Sequence, residues 1–184
     1  MRKNYHTFLF SLVAVLLFTI TSNSVFAQSP IKFGIGIEGG IPVGNASDAY
    51  SASAGVSLNV RVPLPVTNLD IIGSVGYQQW FLKGEVKDAV ELQGLDASNL
   101  GLLPIRVGAR YGFGLLPIFA KFDLGPAITV KEVIDNADSG TAMSYSPGIG
   151  AKLGPLEAEL KYDIYTKSGD TGTFFGLKLS YYFN

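Results

Sequence analysis

The sequence predicts an all-β fold, an eight-stranded antiparallel up-and-down β-barrel, on the basis of three observations. Apolar and polar residues alternate with a period of two in eight separate runs, which is the pattern of β-strands with two chemically different faces. The connections between successive runs alternate between short and long. The charged residues of the runs fall almost entirely on one of the two faces, so the two sides of the predicted sheet meet different environments.

Residues 1–27, which precede the runs, have the composition of a secretory signal peptide. Arg2 and Lys3 supply a positive start, an apolar segment of 13 residues follows at 8–20, and Ala27 ends a cleavage site of small residues. An uncleaved membrane anchor is the less favoured alternative, because 13 residues in a helix do not cross about 30 Å of hydrocarbon. We therefore expect a cleaved signal peptide, 1–27, and one mature domain, 28–184.

Composition excludes several functional classes for this mature domain. The chain has no cysteine, and its one histidine, His6, lies in the predicted signal peptide. Zinc sites, Ser-His-Asp triads and Cys-His pairs are therefore excluded, and we expect no catalytic residues, no metal site, no cofactor and no enzyme activity. The formal net charge of −1 for the 184-residue chain argues against nucleic-acid binding, which normally requires a clustered basic surplus.

The eight runs are about ten residues long, the length that a tilted strand needs to cross a bilayer. The fourth run is the most regular, since six apolar residues at odd positions alternate with residues that include Arg106 and Arg110. In chain order the runs lie at residues 31–38, 56–62, 71–81, 103–113, 118–125, 145–153, 156–164 and 175–183.

Prolines within the predicted strands lie towards the ends next to the longer connections, where the loss of one ladder hydrogen bond costs least. These residues are Pro42, Pro104, Pro126 and Pro147. Pro147 fits this arrangement least well, so we expect the sixth strand to begin late or to contain a bulge.

The connections differ at the two ends of the predicted strands. Those after the second, fourth and sixth runs are short and contain proline, and those after the other runs are longer and polar, roughly at 45–52, 83–102, 131–142 and 167–172. Short turns at one rim and longer loops at the other are typical of a membrane β-barrel.

In the third long connection, Asp135 and Asp138 favour a tight turn over a calcium loop, because Ala137 occupies a position that needs an oxygen ligand.

Charge placement predicts which face is inside. The charged face is also rich in glycine and serine, which fit the narrow interior of an eight-stranded barrel, and the opposite face is aliphatic and aromatic. This distribution favours a polar, salt-bridged interior and a lipid-facing exterior, that is, a transmembrane β-barrel. We expect the interior charge network to contain Arg61, Arg106, Arg110, Lys121, Asp123, Lys152, Glu157, Glu159, Lys161, Asp163 and Lys178, with Lys32 and Glu38 on the same face.

Two groups of aromatic residues are distinguished by their position in the alternation. Most lie on the apolar face near the ends of the runs, as in the aromatic girdles of membrane barrels. Four others have the inward parity and do not fit a girdle: Trp80, Phe119, Tyr165 and Tyr182.

The whole mature chain resembles the small OmpA/OmpX-like outer-membrane β-barrel domain, often labelled porin-family. The resemblance rests on the segments KFGIGIEGGIPVG, LLPIRVGARYGFGLLPIFAKFDLGPA and the terminal GLKLSYYFN. It implies location in a Gram-negative-type cell outer membrane, contact with outer-membrane lipid and lipopolysaccharide, and a last strand that the barrel-assembly machinery recognises during biogenesis. The chain departs from the aromatic-ended pattern, because Asn184 follows Phe183.

The predicted function is that of an integral outer-membrane protein, a monomer with a structural or surface-interaction role, in which the interior charges plug the barrel. One alternative is a narrow passive porin for small solutes, lined by the same charges. A second is a soluble secreted, lipocalin-like barrel that binds an apolar ligand, which would alternate with the opposite parity. The surface ligand is unknown from the sequence, and a solvated loop is the expectation for residues 83–102.

Overall fold

A computed structural model of the chain describes residues 31–65, 68–131, 133 and 140–183. The predicted signal peptide, 1–27, and the predicted turn at Asp135 and Asp138 lie outside the described residues. No helix in the described part of the chain is long and apolar enough to cross a membrane.

Eight antiparallel strands form a closed barrel in which each strand pairs with its neighbours in sequence and the first pairs with the last. This arrangement confirms the predicted fold class. The strands are β1 (Lys32–Val43), β2 (Tyr50–Pro63), β3 (Leu69–Leu82), β4 (Leu100–Gly112), β5 (Ile118–Lys131), β6 (Thr141–Leu153), β7 (Leu156–Lys167) and β8 (Asp170–Tyr182).

Side chains alternate between the inside and the outside of the barrel along each strand. Large apolar residues are exposed on the outer face, as shown by Leu58, Val107 and Ile149, which are 62%, 57% and 63% exposed. Between the two rims of the barrel, the Asp, Glu, Lys and Arg residues of the described strands occupy inward positions. The parity is therefore the predicted one and the opposite of the one that the soluble lipocalin-like alternative requires.

The connections agree with the predicted asymmetry at most positions. Residues 113–117 and 154–155 form short turns at one end, and the loops at the other end contain the short helices α1 (Ala46–Ala49) and α2 (Gly84–Glu91). The prediction of a longer loop at 167–172 is wrong. Ser168 and Gly169 alone join β7 to β8, because both adopt positive φ angles, 51° and 96°, as in the tight turns of β-hairpins.

Strand β6 passes through Pro147 without a late start or a bulge, so that expectation is also wrong. Its ladder with β5 is continuous across the Phe122–Pro147 pair. Its ladder with β7 omits Ser146 and Pro147 and resumes in the same register at Gly148. Proline has no N–H to donate, so pairing is lost on one side only while the strand stays extended.

Glycines at inward positions let strands and interior side chains approach closely. A Cβ added at Gly108 would lie 2.0 Å from the carbonyl oxygen of Phe122 on β5, and one added at Gly150 would lie 2.4 Å from the Phe119 ring. Both distances are far below van der Waals contact. The glycines therefore make room for the ladder and for the large side chains that fill the interior.

Candidate functional site: the charged barrel interior

Ten of the eleven sequence-predicted network residues have side chains that lie inside the barrel. They are Arg61, Arg106, Arg110, Lys121, Asp123, Glu157, Glu159, Lys161, Asp163 and Lys178. The eleventh, Lys152, is exposed. Although it has the inward parity, Lys152 is the second-last residue of β6 and lies at the short-turn rim, where water is accessible. The prediction that Lys152 belongs to the interior charge network is therefore wrong.

Four of the interior residues form a closed set of ion pairs near the short-turn end, which we call the ion-pair ring: Arg61, Asp70, Arg110 and Glu157. Arg110 lies 2.9 Å from Asp70 and 3.0 Å from Glu157, measured between guanidinium nitrogen and carboxylate oxygen. Arg61 also donates to Glu157 and lies 3.9 Å from Asp70. Each arginine thus contacts both carboxylates, and the ring is electrically neutral.

Two aromatic rings pack against the guanidinium groups of the ion-pair ring. The Arg61 guanidinium lies 4.4 Å from the centroid of Tyr182, and that of Arg110 lies 4.1 Å from the centroid of Phe119. A guanidinium over an aromatic face gains electrostatic attraction and covers the apolar ring. This stacking explains why Phe119 and Tyr182 have the inward parity that a lipid-facing girdle would not allow.

The other ion pairs of the interior form a linear series towards the loop end, which we call the ion-pair chain. Lys121 lies between two carboxylates, 3.0 Å from Glu159 and 2.7 Å from Asp123, and Lys161 lies 2.6 Å from Glu38. Arg106 lies 3.9 Å from Asp123 and 3.5 Å from Asp163, and Asp163 lies 2.8 Å from Lys161. The order of the ion-pair chain is Glu159, Lys121, Asp123, Arg106, Asp163, Lys161 and Glu38.

Lys178 completes the charge balance of the interior. Its ammonium group donates a hydrogen bond of 2.7 Å to Asn59 Oδ1. Among the ion pairs of the described residues, none within 4.0 Å includes Lys178. The ion-pair chain has three cations and four carboxylates, so the positive charge of Lys178 brings its sum to zero.

An aromatic cluster lies at the loop end of the interior, and we call it the aromatic cap: Tyr50, Trp80, Tyr165 and Phe174. The Trp80 ring centroid lies 4.9 Å from that of Tyr165 and 4.3 Å from that of Phe174. The Tyr165 hydroxyl accepts a 2.6 Å hydrogen bond from Arg106 and donates one to Gln78. The aromatic cap is therefore bonded directly to the ion-pair chain beneath it.

The arrangement of these charged side chains favours a structural role over acid–base catalysis. Glu157 and Glu159 are two residues apart on one face of β7, but each faces a cation from another strand. Among the described residues, no group of three or more His, Cys, Asp or Glu side chains is arranged to hold a metal ion. Mutual neutralisation inside a closed sheet is what this geometry provides.

Sequence reasoning missed several members of the interior. Asp70 joins the ion-pair ring but precedes the run that was predicted to begin at residue 71; extending the alternation backwards by one inward position would have found it. The aromatic cap had only one signal in the sequence, the inward parity of Trp80 and Tyr165. Nothing in the sequence indicated that these rings would contact one another.

Comparison with solved structures shows that this chain shares its fold with small outer-membrane β-barrels. No family model matches the sequence, and no curated protein matches it. The N-terminal β-barrel domain of Pseudomonas aeruginosa OprF is similar, with a TM-score of 0.54 at 14% identity over 83% of this chain and 97% of that chain. Ail, the attachment invasion locus protein of Yersinia pestis, has a TM-score of 0.56 at 13% identity, with the same coverage of both chains. The expected OmpA/OmpX-like barrel fold is confirmed by these likenesses.

The ion-pair ring predicts a large effect from loss of one carboxylate. We expect Glu157→Gln to lower the free energy of unfolding by about 3 kcal/mol, because Arg61 and Arg110 would share the single charge of Asp70 inside the barrel. Urea titration of the refolded protein, followed by fluorescence of Trp80, the only tryptophan, measures the change. The matched control is Glu91→Gln, which removes an exposed pair with Lys87 on α2 and should cost less than about 0.5 kcal/mol. Equal stability of the two variants would contradict the role of the ring.

Proposed function

We propose that this chain is an integral outer-membrane β-barrel protein with a structural or surface-interaction role and a plugged, polar interior. The observation that carries the proposal is the distribution of side chains around the closed sheet. The ionisable groups of the strands face inward or lie at the rims, and the outward positions between the rims are apolar. A bilayer is the environment that favours this arrangement.

The exposed apolar surface is continuous around the barrel. Soluble proteins rarely expose an apolar patch larger than a few hundred Å². A closed barrel also pairs every strand with a neighbour on both edges, as hydrocarbon requires of a spanning β-sheet. The surface includes Ile35, Ile37, Leu58, Val75, Val107, Phe122, Ile149, Leu160, Leu177 and Leu179.

The ends of the barrel support an orientation relative to the bilayer. Aromatic residues on the outer face near the short turns, such as Phe33 and Tyr181, are 58% and 43% exposed, and the short turn between β4 and β5 exposes Leu115 fully. The outward positions at the loop end include threonines, such as Thr171 and Thr173. We therefore propose that the short turns lie at the inner interface and that the loops with α1 and α2 project from the cell surface.

Export and assembly follow from the same proposal. We propose that the signal peptide, 1–27, is cleaved, that the barrel contacts outer-membrane lipid and lipopolysaccharide, and that the barrel-assembly machinery recognises β8, which ends in aromatic residues. The barrel is closed and leaves no unpaired strand edge, which supports a monomer. The fold shared with the OprF barrel domain and with Ail is consistent with this location.

The plugged interior is proposed over a narrow passive pore because side chains cross the lumen at several levels. The ion-pair ring crosses it near the short turns, the ion-pair chain crosses its middle, and the aromatic cap crosses it at the loop end. Interiors of eight-stranded barrels are about wide enough to be filled by side chains. We therefore assign the interior a stabilising role, with no enzyme activity, and assign any interaction with a partner to the loops.

Cell fractionation tests the location. We expect the full-length protein, expressed in a Gram-negative host, to be recovered in the outer membrane and to require detergent for extraction. Its migration on gels should change on heating, because a folded barrel resists dodecyl sulfate until it is boiled. Recovery in the aqueous periplasmic fraction would contradict the proposal.

The outward face predicts a position-dependent cost for an added charge. We expect Leu160→Arg and Val107→Arg, near the middle of β7 and β4, each to lower the free energy of unfolding in lipid vesicles by about 2–4 kcal/mol. Thr171→Arg, outward-facing at the loop end of β8, is the matched control and should cost less than about 1 kcal/mol. If all three variants unfold at the same urea concentration, the outer surface does not contact hydrocarbon.

Planar-bilayer recording separates a plugged barrel from a pore. We expect the reconstituted protein to show no steady ohmic conductance, because the ion-pair networks and the aromatic cap occupy the lumen. The alternative, a narrow passive pore, requires steady channels whose conductance changes in Arg106→Ala and Arg110→Ala and is unchanged in Lys83→Ala, which alters an exposed loop residue. That second pattern would overturn the plugged interior and leave the membrane location intact.

A further inference from the structure

Small residues create a depression in the outer surface of the barrel near its short-turn end, which we call the outer depression. Its volume is about 430 Å³, within the range of roughly 300–1,000 Å³ that small-molecule sites occupy. Ala151 on β6 and Ala158 on β7 are directly opposite in register and form its floor. Larger apolar side chains surround this floor, namely those of Phe113, Ile149, Leu160 and Leu177.

The outer depression presents an apolar surface to its occupant. Ile149, Leu160 and Leu177 are neighbours in register on β6, β7 and β8, and they bound the depression towards the middle of the barrel. The carboxylate of Glu159, which also lies at this place, turns inward to Lys121. An apolar group is therefore the occupant that this surface favours.

The turn between β4 and β5 extends the apolar surface beyond the ends of the strands. Gly114 has a positive φ angle of 65°, and Leu115 and Leu116 at the tip of the turn are exposed. Turns that lie in water usually present Asn, Asp, Ser or Gly. Exposed leucines that adjoin a larger apolar surface instead indicate contact with a membrane.

Lys152 lies beside both apolar features and has no carboxylate partner. It follows Ala151 directly, and its backbone N–H donates a 2.6 Å hydrogen bond to the carbonyl of Pro117 at the end of the turn. Glu157, which is opposite Lys152 in register, pairs with the two arginines of the ion-pair ring instead. Among the ion pairs of the described residues, none within 4.0 Å includes Lys152.

The short-turn end has a surplus of positive charge. Lys32 at the start of β1 also lacks an ion pair within 4.0 Å in the described part of the chain, and its charge repels that of Lys152. The ion-pair ring is neutral. The connections at this end, 64–68, 113–117 and 154–155, contain no charged residue. An anionic group at Lys152 would therefore compensate a charge that the protein leaves unpaired.

We propose that the short-turn end binds an anionic phospholipid of the inner leaflet, with an acyl chain in the outer depression and the phosphate on Lys152. The acyl chain is the apolar occupant that the depression favours, and the headgroup supplies the missing partner of the lysine. Leu115 and Leu116 enter the hydrocarbon beside it. A zwitterionic phospholipid has the same chains without net charge, so it binds more weakly. The inference rests on the proposed membrane function, because it requires the short turns at the inner interface.

Native mass spectrometry tests the preference for an anionic phospholipid. The protein, purified from the outer membrane of a Gram-negative host, is titrated in detergent with phosphatidylglycerol, with phosphatidylcholine of the same acyl chains, and with lipid A. We expect one phosphatidylglycerol per barrel to bind at a lower concentration than either of the others. Lys152→Gln should weaken this binding about five-fold and leave phosphatidylcholine unchanged. The control Lys83→Gln removes an exposed cation at the loop end and should bind like the wild type.

Filling the outer depression tests the position of the acyl chain. Ala158→Phe places a ring on the floor of the depression and should weaken the binding of both phospholipids. Ala151→Phe fills the same floor from β6 and gives a second, independent variant. The matched control is Ala54→Phe, the same change at an exposed outward position of β2 outside the depression, and it should bind like the wild type. Heat-dependent migration on gels shows which variants are folded.

Several outcomes would overturn the site. Equal affinity of the wild-type protein for the two phospholipids, or unchanged phosphatidylglycerol binding in Lys152→Gln, would remove the role of the lysine. Unchanged binding in a folded variant with Phe at position 151 or 158 would place the acyl chain elsewhere. Preference for lipid A would assign the site to the outer leaflet and contradict the proposed orientation as well. A protein recovered in outer membranes that shows no lipid preference contradicts this inference alone, whereas recovery in the periplasmic fraction contradicts the proposed location.

Discussion

The structure depends on one electrostatic constraint: charged side chains enclosed by a narrow sheet must neutralise one another. Moving a single ionised group out of water costs several kcal/mol unless partners compensate it. Among the described residues, the interior holds six cations and six carboxylates, namely Arg61, Arg106, Arg110, Lys121, Lys161 and Lys178 with Glu38, Asp70, Asp123, Glu157, Glu159 and Asp163. The alternation that encloses these charges also turns apolar residues outward, so one sequence pattern produces both surfaces.

Small residues are the second requirement of this interior. A Cβ at Gly36 would lie 2.9 Å from Lys178 Cε, and one at Gly176 would lie 3.3 Å from Lys161 Cε. The long cations therefore cross the lumen over positions where a side chain is missing. Charged and glycine positions are therefore complementary parts of the interior, whereas other glycines, such as Gly44, Gly114 and Gly154, lie in turns with positive φ angles.

Strand number, parity and the closed topology were predictable from the sequence because they depend on local alternation. Every run that was predicted became a strand, and the charged parity became the inside of the barrel. The predictions were wrong at two positions where the local sequence is compatible with two different structures. Pro147 is compatible with a bulge or with loss of pairing on one side, and the Ser168–Gly169 turn is compatible with a short or a longer connection. Pairing with neighbouring strands decided both.

The alternation of polar and apolar residues did not predict which interior side chains form ion pairs with one another. Parity assigns a side chain to the lumen, but its partner depends on height along the barrel axis and on which strands face each other across it. Arg61 on β2 pairs with Glu157 on β7, and Lys161 on β7 pairs with Glu38 on β1, strands that are not neighbours in the sheet. Lys152 and Glu157 are directly opposite in register, yet the lysine lies in solvent at the rim while the carboxylate turns inward. The ion pairs therefore depend on how the register of each strand pair shifts its residues along the barrel axis. The alternation within a single strand does not predict these register shifts.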